Sequence, residues 1–324
     1  MHVLICGGAG YVGSHMAKCL SVAGHEVTVL DNLRTGHREA VKWGDLAVAD
    51  LLDERALSLI FSRTQFDAVM HFSALSLVGE SVTMPYEYYA TNVTGTVNLL
   101  RAMRARDVRR LVFSSTAAVY GQPQSPLIDE DHPKLPMSPY GASKLMVERV
   151  LSDAAAAYGL RSAALRYFNA AGASADGDIG EAHHPETHLI PNVLRSVLGQ
   201  GGRLKVFGGD YTTPDGTCVR DYVHVDDLAD AHLRALHYLN GHDGAHAFNL
   251  GNGQGFSVRE VIATVQRVTG CDVPFEMGAR RSGDPAVLVA ASAKAKTELG
   301  WEPRHSGLDT IIESAWRWHS NPAF

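Results

Sequence analysis

Short apolar runs alternate with longer segments of helical periodicity along the first half of the chain. Runs rich in β-branched residues predict strands at 2–6, 26–30, 46–49, 68–72, 110–114 and 163–167. Apolar residues at helical spacing predict helices over 11–23, over 85–107 and from Pro139 onward. Repeated strand–helix units favour an α/β fold with a doubly wound parallel sheet, whose ligands bind where the strands end.

The pattern changes after residue 170. Residues 170–187 are small, polar and rich in histidine, which indicates irregular chain over a ligand. A helix is predicted at 189–198 and a short strand at 204–207. The helix predicted at 226–239 and the strand predicted at 247–250 again resemble parts of the large sheet.

Two domains follow from these patterns, as a length of 324 residues also suggests. The first domain comprises residues 1–170 with returning segments near 221–251. The second is a smaller, discontinuous α/β domain within 171–324. We expect the ligand cleft between the two.

A glycine-rich loop follows the first predicted strand directly. Gly7, Gly10 and Gly13 are spaced for a tight turn into the next helix, whose first N–H groups can face a pyrophosphate. Asp31 ends the second predicted strand, about twenty residues after the loop, where a carboxylate can bind ribose hydroxyls and repel a 2′-phosphate. This context predicts a Rossmann-type site for NAD, although Arg34 leaves NADP as an alternative.

A second motif offers acid–base chemistry. Ser138 suits a helix N-cap and Pro139 the first helical position, so Tyr140 and Lys144 are expected one turn apart on one face. An ammonium near a phenol stabilises the phenolate, which predicts a base whose pKa lies below that of free tyrosine. Thr116, just past the fifth strand, can hydrogen-bond the hydroxyl that this base deprotonates. The alternatives are a solvated surface helix and a threonine that only shapes a turn.

Composition and charge argue against several classes of protein. The chain has 29 basic and 35 acidic residues, a formal net charge of −6, and no basic run that would bind nucleic acid. Its apolar runs are too short to cross a membrane, and it begins in strand-like sequence without a charged leader. Four scattered cysteines indicate reduced thiols. We therefore expect a cytoplasmic protein with no nucleic-acid or membrane partner.

A histidine-rich segment is a candidate metal site. Glu181, His183, His184, Glu186 and His188 lie within eight residues of one another, but they do not form a helical HExxH pattern. The segment also contains a proline and is predicted to be a loop. We therefore expect no bound metal.

Arginines occur beside acidic residues in the second domain. Arg220 precedes Asp221, and Arg281 stands three residues before Asp284. Guanidinium groups that line a cleft suit a diphosphate, because they make bidentate contacts with its oxygens. The alternative is an ordinary surface ion pair, which contributes little.

Several blocks of sequence together resemble the extended short-chain dehydrogenase/reductase superfamily: the loop 7–13, the pair 50–51, the Ser/Ser/Thr run 114–116 and the Tyr140-x-x-x-Lys144 motif. More narrowly, blocks 79–82, 88–89, 92–96, 165–169 and 219–224 resemble the UDP-glucose 4-epimerase family. The resemblance covers nearly the whole chain. It implies a Rossmann domain with a smaller UDP-sugar domain, NAD as cofactor, and a homodimer that pairs the helices near 85–107 and 139–158.

The resemblance also implies roles for individual residues, with Thr116, Tyr140 and Lys144 catalytic. Around the cofactor it places Gly7, Gly10, Tyr11, Val12, Gly13, Asp31, Asn32, Leu33, Arg34, Thr35, Gly36, Asp50, Leu51, Phe72, Ser73, Ala74, Leu75, Ser76, Asn92, Ser114, Tyr140, Lys144 and Phe168. Around the UDP-sugar it places Thr116, Tyr140, Asn169, His188, Leu189, Lys205, Val206, Phe207, Arg220, Arg281, Asp284 and Leu288.

Three positions depart from the family pattern. Ser76 stands where many members carry Lys, which removes a cationic contact from the cofactor side. His188 stands where some members carry Asn. Leu288 occupies a sugar-pocket position that is Tyr in some members restricted to UDP-glucose and small in members that accept N-acetyl sugars. Activity on UDP-N-acetyl sugars therefore stays open.

The resemblance predicts an isomerase that interconverts UDP-galactose and UDP-glucose. Tyr140 would take the proton of the 4-hydroxyl while a hydride moves from C4 to NAD; the 4-keto sugar would rotate and receive the hydride on its other face. A nucleotide-sugar dehydratase or decarboxylase is one alternative, but Ala117 and Ala118 stand where such chemistry needs carboxylates. The other is a non-catalytic NAD-binding protein, which would be expected to lack Thr116, Tyr140 or Lys144.

Overall fold

The strands of the described residues form one large sheet and three small ones. A computed structural model describes residues 1–200, 202–281 and 284–324. Its strands are β1 (His2–Cys6), β2 (Glu26–Asp31), β3 (Asp45–Val48), β4 (Ala68–His71), β5 (Arg110–Thr116), β6 (Leu127–Ile128), β7 (Arg161–Tyr167), β8 (Asn169–Ala171), β9 (Leu204–Phe207), β10 (Val219–Arg220), β11 (Tyr222–His224), β12 (Ala245–Leu250), β13 (Phe256–Ser257), β14 (Phe275–Gly278) and β15 (Val287–Ala290).

Helices cover both faces of the large sheet and fill the second domain. They are α1 (Tyr11–Val22), α2 (Glu54–Arg63), α3 (Val78–Thr83), α4 (Pro85–Tyr88), α5 (Gly95–Ala105), α6 (Pro139–Tyr158), α7 (Leu189–Val197), α8 (Val225–Tyr238), α9 (Val258–Thr269), α10 (Ala293–Leu299) and α11 (Leu308–Ser320). No helix in the described parts of the chain combines the length and apolar character needed to span a membrane.

The large sheet has seven parallel strands in the order β12-β7-β5-β4-β1-β2-β3. The six strands predicted for the first domain and the strand predicted at 247–250 all belong to it, so the predicted fold class is confirmed. The chain runs outward from β1 in one direction and from β4 in the other. Ligands of such sheets bind at this reversal, and the glycine-rich loop leaves β1 there.

The side chains of β1 alternate between the two faces of the large sheet. Val3 and Ile5 join the core beneath α1 and α8, while Leu4 and Cys6 join the core beneath α2, α5 and α6. All four are fully buried, which explains why this strand reads as a continuous apolar run.

The second domain has its own core around α7, α9 and α11. Its sheets are β13-β10-β15-β6 and the pairs β8–β11 and β9–β14. Two segments depart from the predicted domain boundary. Strand β6 lies within residues 1–170 but pairs with β15, and α10 packs into the large-sheet core through Ala295 and Leu299, with Trp301 beyond its end.

The predicted helix over 85–107 is interrupted. Helix α4 passes into a π-helical turn, Tyr89–Thr94, before α5 begins. A π turn admits one extra residue per hydrogen-bonded ring, and such turns are frequent at functional sites. Here the turn contains Asn92, whose buried side chain is hydrogen-bonded to the backbone of Leu75.

Candidate active site

A deep cleft of about 1620 Å³ runs along the carboxyl ends of the large sheet and continues between the two domains. Small-molecule sites typically enclose about 300–1,000 Å³. The cleft therefore has room for a dinucleotide and a nucleotide sugar together. Every cofactor or substrate residue that the family resemblance implies lines it, except Leu33 and Asn92.

Leu33 and Asn92 shape the wall from behind its surface. Leu33 has a φ of 58° and donates its N–H to Oδ1 of Asp31 at 2.9 Å. The Asn92 side chain accepts from the Leu75 N–H (2.8 Å) and donates to the Leu75 carbonyl (3.0 Å) and to Oγ of Ser143 (3.0 Å). Asn92 thereby ties the segment after β4 to α6, and its place beside the cofactor stays a prediction.

The glycine-rich loop approaches its neighbours too closely for side chains. Gly7 has a φ of 81°, and a Cβ there would lie 2.6 Å from the backbone nitrogen of Ser73. A Cβ on Gly13 would lie 2.1 Å from the carbonyl oxygen of Gly7. Gly10, the N-cap of α1, has no side chain to cap the helix. The first N–H groups of α1 are therefore free to face a pyrophosphate.

Two carboxylates stand beside this loop at the ends of β2 and β3. Asp31 is buried, and its Oδ2 accepts from the Ala9 N–H at 3.0 Å. Burial raises the pKa of Asp31, while the N–H groups of Leu33 and Ala9 oppose that shift. Asp50 accepts from Nδ2 of Asn32 at 2.7 Å. This acidic corner suits ribose hydroxyls and disfavours an added phosphate.

The start of α6 presents the predicted acid–base pair. Oγ of Ser138 accepts from the Gly141 N–H at 3.2 Å, which caps the helix as predicted. Lys144 is buried, and its Nζ donates to the Ser114 carbonyl at 2.9 Å. The same Nζ lies 6.0 Å from the ring centroid of Tyr140. Thr116 completes the group at the end of β5.

Burial dominates the electrostatics of this group. It lowers the pKa of Lys144 to about 7, with the charge of Glu148 opposing the shift. It raises the pKa of Tyr140, and the hydrogen bond with Thr116 opposes that shift. The chain alone therefore does not lower the pKa of Tyr140 as expected, because desolvation outweighs the hydrogen bond with Thr116.

The opposite wall of the cleft carries cations. Arg220 forms an ion pair with Asp284 through Nη2 and Oδ1. The guanidinium of Arg281 lies 4.2 Å from the ring centroid of Phe207, and Nζ of Lys205 lies 5.7 Å from the same centroid. This wall offers positive charge and a flat ring face, which suit a nucleotide diphosphate.

Several lining residues were missed from the sequence, among them Tyr167, Arg195 and Arg203. The Tyr167 hydroxyl is hydrogen-bonded to Oγ of Ser114, next to the carbonyl that holds Lys144. Its position at the end of β7, beside the end of β5, was the available signal. Arg195 and Arg203 add two cations to the second-domain side of the cleft. Their distance in sequence from the recognised blocks gave no such signal.

The histidine-rich loop folds so that four of its five candidate ligands converge. One ligand atom from each of Glu181, His183, Glu186 and His188 lies within 4.8 Å of the others. His184 does not belong to this group. The four side chains line or adjoin the second-domain end of the cleft.

Comparison with known proteins agrees with this architecture. Residues 3–251 match the NAD dependent epimerase/dehydratase family. The chain is 51% identical over 319 residues to the UDP-glucose 4-epimerase of Halalkalibacterium halodurans, an alignment that covers 98% of this chain and 96% of that protein.

Solved structures of similar fold include two with bound ligands. The UDP-glucose 4-epimerase from Brucella ovis in complex with NAD has a TM-score of 0.95 and 49% identity, with 97% of each chain covered. The Stenotrophomonas maltophila UDP-glucose-4-epimerase with bound NAD and formylated UDP-arabinopyranose has a TM-score of 0.95 and 41% identity, covering 99% of this chain and 98% of that one. The chain therefore belongs to the NAD dependent epimerase/dehydratase family and, within it, to the UDP-glucose 4-epimerases.

Proposed function

We propose that this chain interconverts UDP-galactose and UDP-glucose as an NAD-dependent isomerase, through transient oxidation at C4 of the sugar. One observation carries the proposal. Tyr140, Lys144 and Thr116 line the same cleft as the glycine-rich loop, and a cationic wall lies across from them. Two relatives that are 51% and 49% identical to this chain are named UDP-glucose 4-epimerase.

The residues present fit a dinucleotide. The loop around Gly7 and Gly13 excludes side chains by close backbone contact, so a pyrophosphate can approach its N–H groups. Asp31 would hold the adenosine ribose, Asp50 and Leu51 would frame the adenine, and Lys144 would hold the ribose at the nicotinamide end. When bound, NAD supplies the acceptor and the donor of the hydride at C4.

Tyr140 is the proposed base for the sugar 4-hydroxyl. Its side chain is half-buried, and a hydrogen bond with Thr116 opposes the rise in its pKa; Thr116 would also hydrogen-bond the sugar 4-hydroxyl. Lys144 has a pKa of about 7 in this environment, so it can give up or regain a proton near neutral pH. Tyr140 would take the proton during oxidation and return it afterwards, so the reaction has no net redox change.

The UDP half of the substrate would bind the cationic wall. Arg220, Arg281 and Lys205 supply charge for the diphosphate, and Asn169 and His188 add polar contacts on the same side of the cleft. These groups hold UDP and leave the hexose free. A 4-keto hexose can therefore rotate and present its other face to the hydride donor.

Elimination and decarboxylation are disfavoured at this site. Ala117 and Ala118 follow Thr116 in the cleft wall, where the family members that remove water or carbon dioxide would need an acid or base. Leu288 lines the cleft and packs against the small apolar cluster of Val119, Tyr120 and Ile128. A leucine is smaller than a tyrosine there, which favours some activity on UDP-N-acetyl sugars.

A homodimer is the assembly that this surface favours. Helices α3 and α4 pack against α6, and Val82, Tyr86 and Met146 on these helices are exposed apolar residues. An exposed apolar patch of this kind is typical of a subunit interface. Sedimentation equilibrium tests the homodimer, and a monomer at micromolar protein concentration would be the contrary result.

All four cysteines are unpaired, which supports a cytoplasmic location.

The decisive experiment incubates the purified protein with UDP-galactose and no added NAD, and quantifies UDP-glucose. Conversion is expected because the cofactor is reoxidised in every turnover. No conversion, with UDP-galactose shown to bind, would reject the proposal. The same assay with UDP-N-acetylgalactosamine tests the inference from Leu288, and complete inactivity there would make the pocket narrow.

A further inference from the structure

The loop between β8 and α7 gathers four potential metal ligands from eight consecutive positions. They follow the pattern Glu181-x-His183-x-x-Glu186-x-His188, and each contributes one ligand atom to a group within 4.8 Å. No residue outside the loop is required. The reaction proposed above uses His188 as a polar contact for UDP and assigns nothing to the other three.

Both imidazoles of the group turn the same nitrogen toward the same carboxylate. Nδ1 of His183 lies 3.0 Å from Oε1 of Glu181, and Nδ1 of His188 contacts that oxygen as well. Oε2 of Glu186 lies 3.9 Å from Nδ1 of His183. Around a tetrahedral zinc ion with bonds of about 2.0–2.1 Å, neighbouring ligand atoms are about 3.3 Å apart. The observed spacings bracket that value.

Two side chains from outside the loop, together with Glu186 itself, hold the backbone of the loop. Nε1 of Trp318 donates to the Glu181 carbonyl at 2.8 Å, and Nε2 of His37 is hydrogen-bonded to the Ala182 carbonyl at 2.8 Å. Oε1 of Glu186 accepts from the N–H groups of Thr187 and His188 at 2.7 and 2.8 Å. The second oxygen, Oε2, is thereby directed at the histidines. The loop presents a formed site, supported by neighbouring contacts.

Charge balance also favours a cation. The side chains of Glu181 and Glu186 are each only 3% exposed, and two adjacent buried carboxylates are costly without positive charge. Two neutral imidazoles and two carboxylates around a divalent ion form a neutral site. This donor set suits zinc and similar transition metals, whereas calcium and magnesium prefer oxygen ligands alone.

We propose that Glu181, His183, Glu186 and His188 bind a divalent transition metal ion, with zinc as the best match. This revises the expectation of no metal, which rested on the lack of a helical motif. Four protein ligands fill a tetrahedral shell, so the ion is structural. It holds Nδ1 of His188, which leaves the Nε2–H of that half-exposed ring to donate to an anion in the cleft.

The test measures metal binding and does not depend on epimerase activity. The purified full-length protein, with its bound cofactor, is dialysed against a chelator and titrated with zinc in competition with a chromophoric chelator. One equivalent should bind. Cobalt(II) in place of zinc should give the intense visible d–d absorption of a tetrahedral centre with nitrogen and oxygen ligands.

Variants assign the ligands. His183→Ala removes a partly exposed side chain, and Glu186→Gln keeps the shape of the original side chain. At least one of these two variants is therefore expected to fold normally. Each should raise the zinc dissociation constant at least about 100-fold and abolish the cobalt spectrum. The control, His184→Ala, alters the neighbouring histidine outside the group and should bind as the wild type does.

Three results would overturn the proposal. They are the absence of stoichiometric zinc binding, equal loss of affinity in the His184→Ala control, and an octahedral cobalt spectrum, which indicates an adventitious ion only. Because none of these readouts measures turnover, their failure leaves the epimerase assignment intact. Conversely, an inactive protein that binds zinc tightly would contradict only the assignment of activity.

Discussion

The cofactor wall of the cleft and its nucleotide-sugar wall hold their polar groups in different ways. Asp31, Ser114 and Lys144 lie at strand ends or on a long helix of the large sheet, and each is buried and hydrogen-bonded. Arg220 and Arg281 extend from a two-residue strand and a loop, held by an ion pair and by an aromatic face. One wall is preorganised by the core, and the other depends on its own local contacts.

This difference matches the demands of the proposed reaction. Proton and hydride transfer require fixed distances, which the large sheet provides through residues buried on several sides. A substrate whose sugar must turn over needs a firm hold on UDP and little on the hexose. The contrast predicts that changes on the cofactor wall lower turnover or cofactor content, while changes on the sugar wall weaken substrate binding.

The largest expected effect is loss of the cofactor from Gly13→Ala. Its added Cβ would lie 2.1 Å from the carbonyl oxygen of Gly7, so the loop must move. Its N–H groups would then no longer point at the pyrophosphate. The purified variant should contain less than about a tenth of the wild-type NAD, measured by absorbance after denaturation. Gly241→Ala is the control, because its Cβ would meet no atom within 4 Å. Equal NAD content in both variants would contradict the role of the loop.

Tyr140→Phe should separate chemistry from binding. Removing a general base costs about 10²–10⁴-fold in rate, so kcat should fall by about that factor while NAD content and the KM for UDP-galactose change little. Steady-state kinetics provide the measurement. Tyr158→Phe, at the exposed end of the same helix, should behave as the wild type. An unchanged kcat for Tyr140→Phe would exclude this tyrosine as the base.

Arg220→Gln tests the sugar wall. Losing one charge-assisted contact to a diphosphate costs about 1.5–3 kcal/mol, or about 10–150-fold in binding. The KM for UDP-galactose should rise by that amount, with NAD content unchanged and kcat reduced less. Arg280→Gln is matched to it, since Arg280 forms a more exposed ion pair with Asp210. A fall in kcat without a rise in KM would contradict the prediction that changes on the sugar wall mainly weaken substrate binding.

The smallest effect concerns pH. Lys144 loses its proton near pH 7 when folded, whereas an unfolded lysine keeps it to about pH 10. The unfolded state therefore binds more protons above pH 7, and this group makes the free energy of unfolding rise by about 1 kcal/mol between pH 6 and pH 8. Urea unfolding of Lys144→Met should lack that rise. Lys296→Met, at an exposed site, should retain it, and equal pH dependence in both would show that Lys144 is not desolvated.

Most strands of the large sheet were predictable because they are buried on both faces and long enough to read as an apolar run. In the second domain only β9 was predicted, at the residues where the structure has it, and the other described strands were not. Strands β10 and β13 contain two residues each, too few for any periodicity to show. The packing of Trp301 into the first core depends on tertiary contacts that no local pattern records.

The site was predictable where it follows a motif and less so where it depends on folding. The glycine loop and the Tyr140–Lys144 pair were located by spacing alone. Asn92 was recognised, but only the π turn shows that it holds the backbone of Leu75 from behind. Tyr167 was missed because its importance comes from the neighbouring strand end. The direction of the Tyr140 pKa shift required knowing how deeply the ring is buried.

The bond between Asp31 and the Ala9 N–H has a consequence for cofactor engineering. Asp31 lines the cleft, and its Oδ2 also accepts from the Ala9 N–H of the glycine-rich loop. A substitution that removes the carboxylate to admit NADP would also leave that buried N–H without its acceptor, at a cost of about 1–3 kcal/mol. The preference for NAD over NADP and the stability of the fold are therefore coupled through one side chain. Laboratory evolution toward NADP would have to supply a new acceptor for Ala9 together with the new charge.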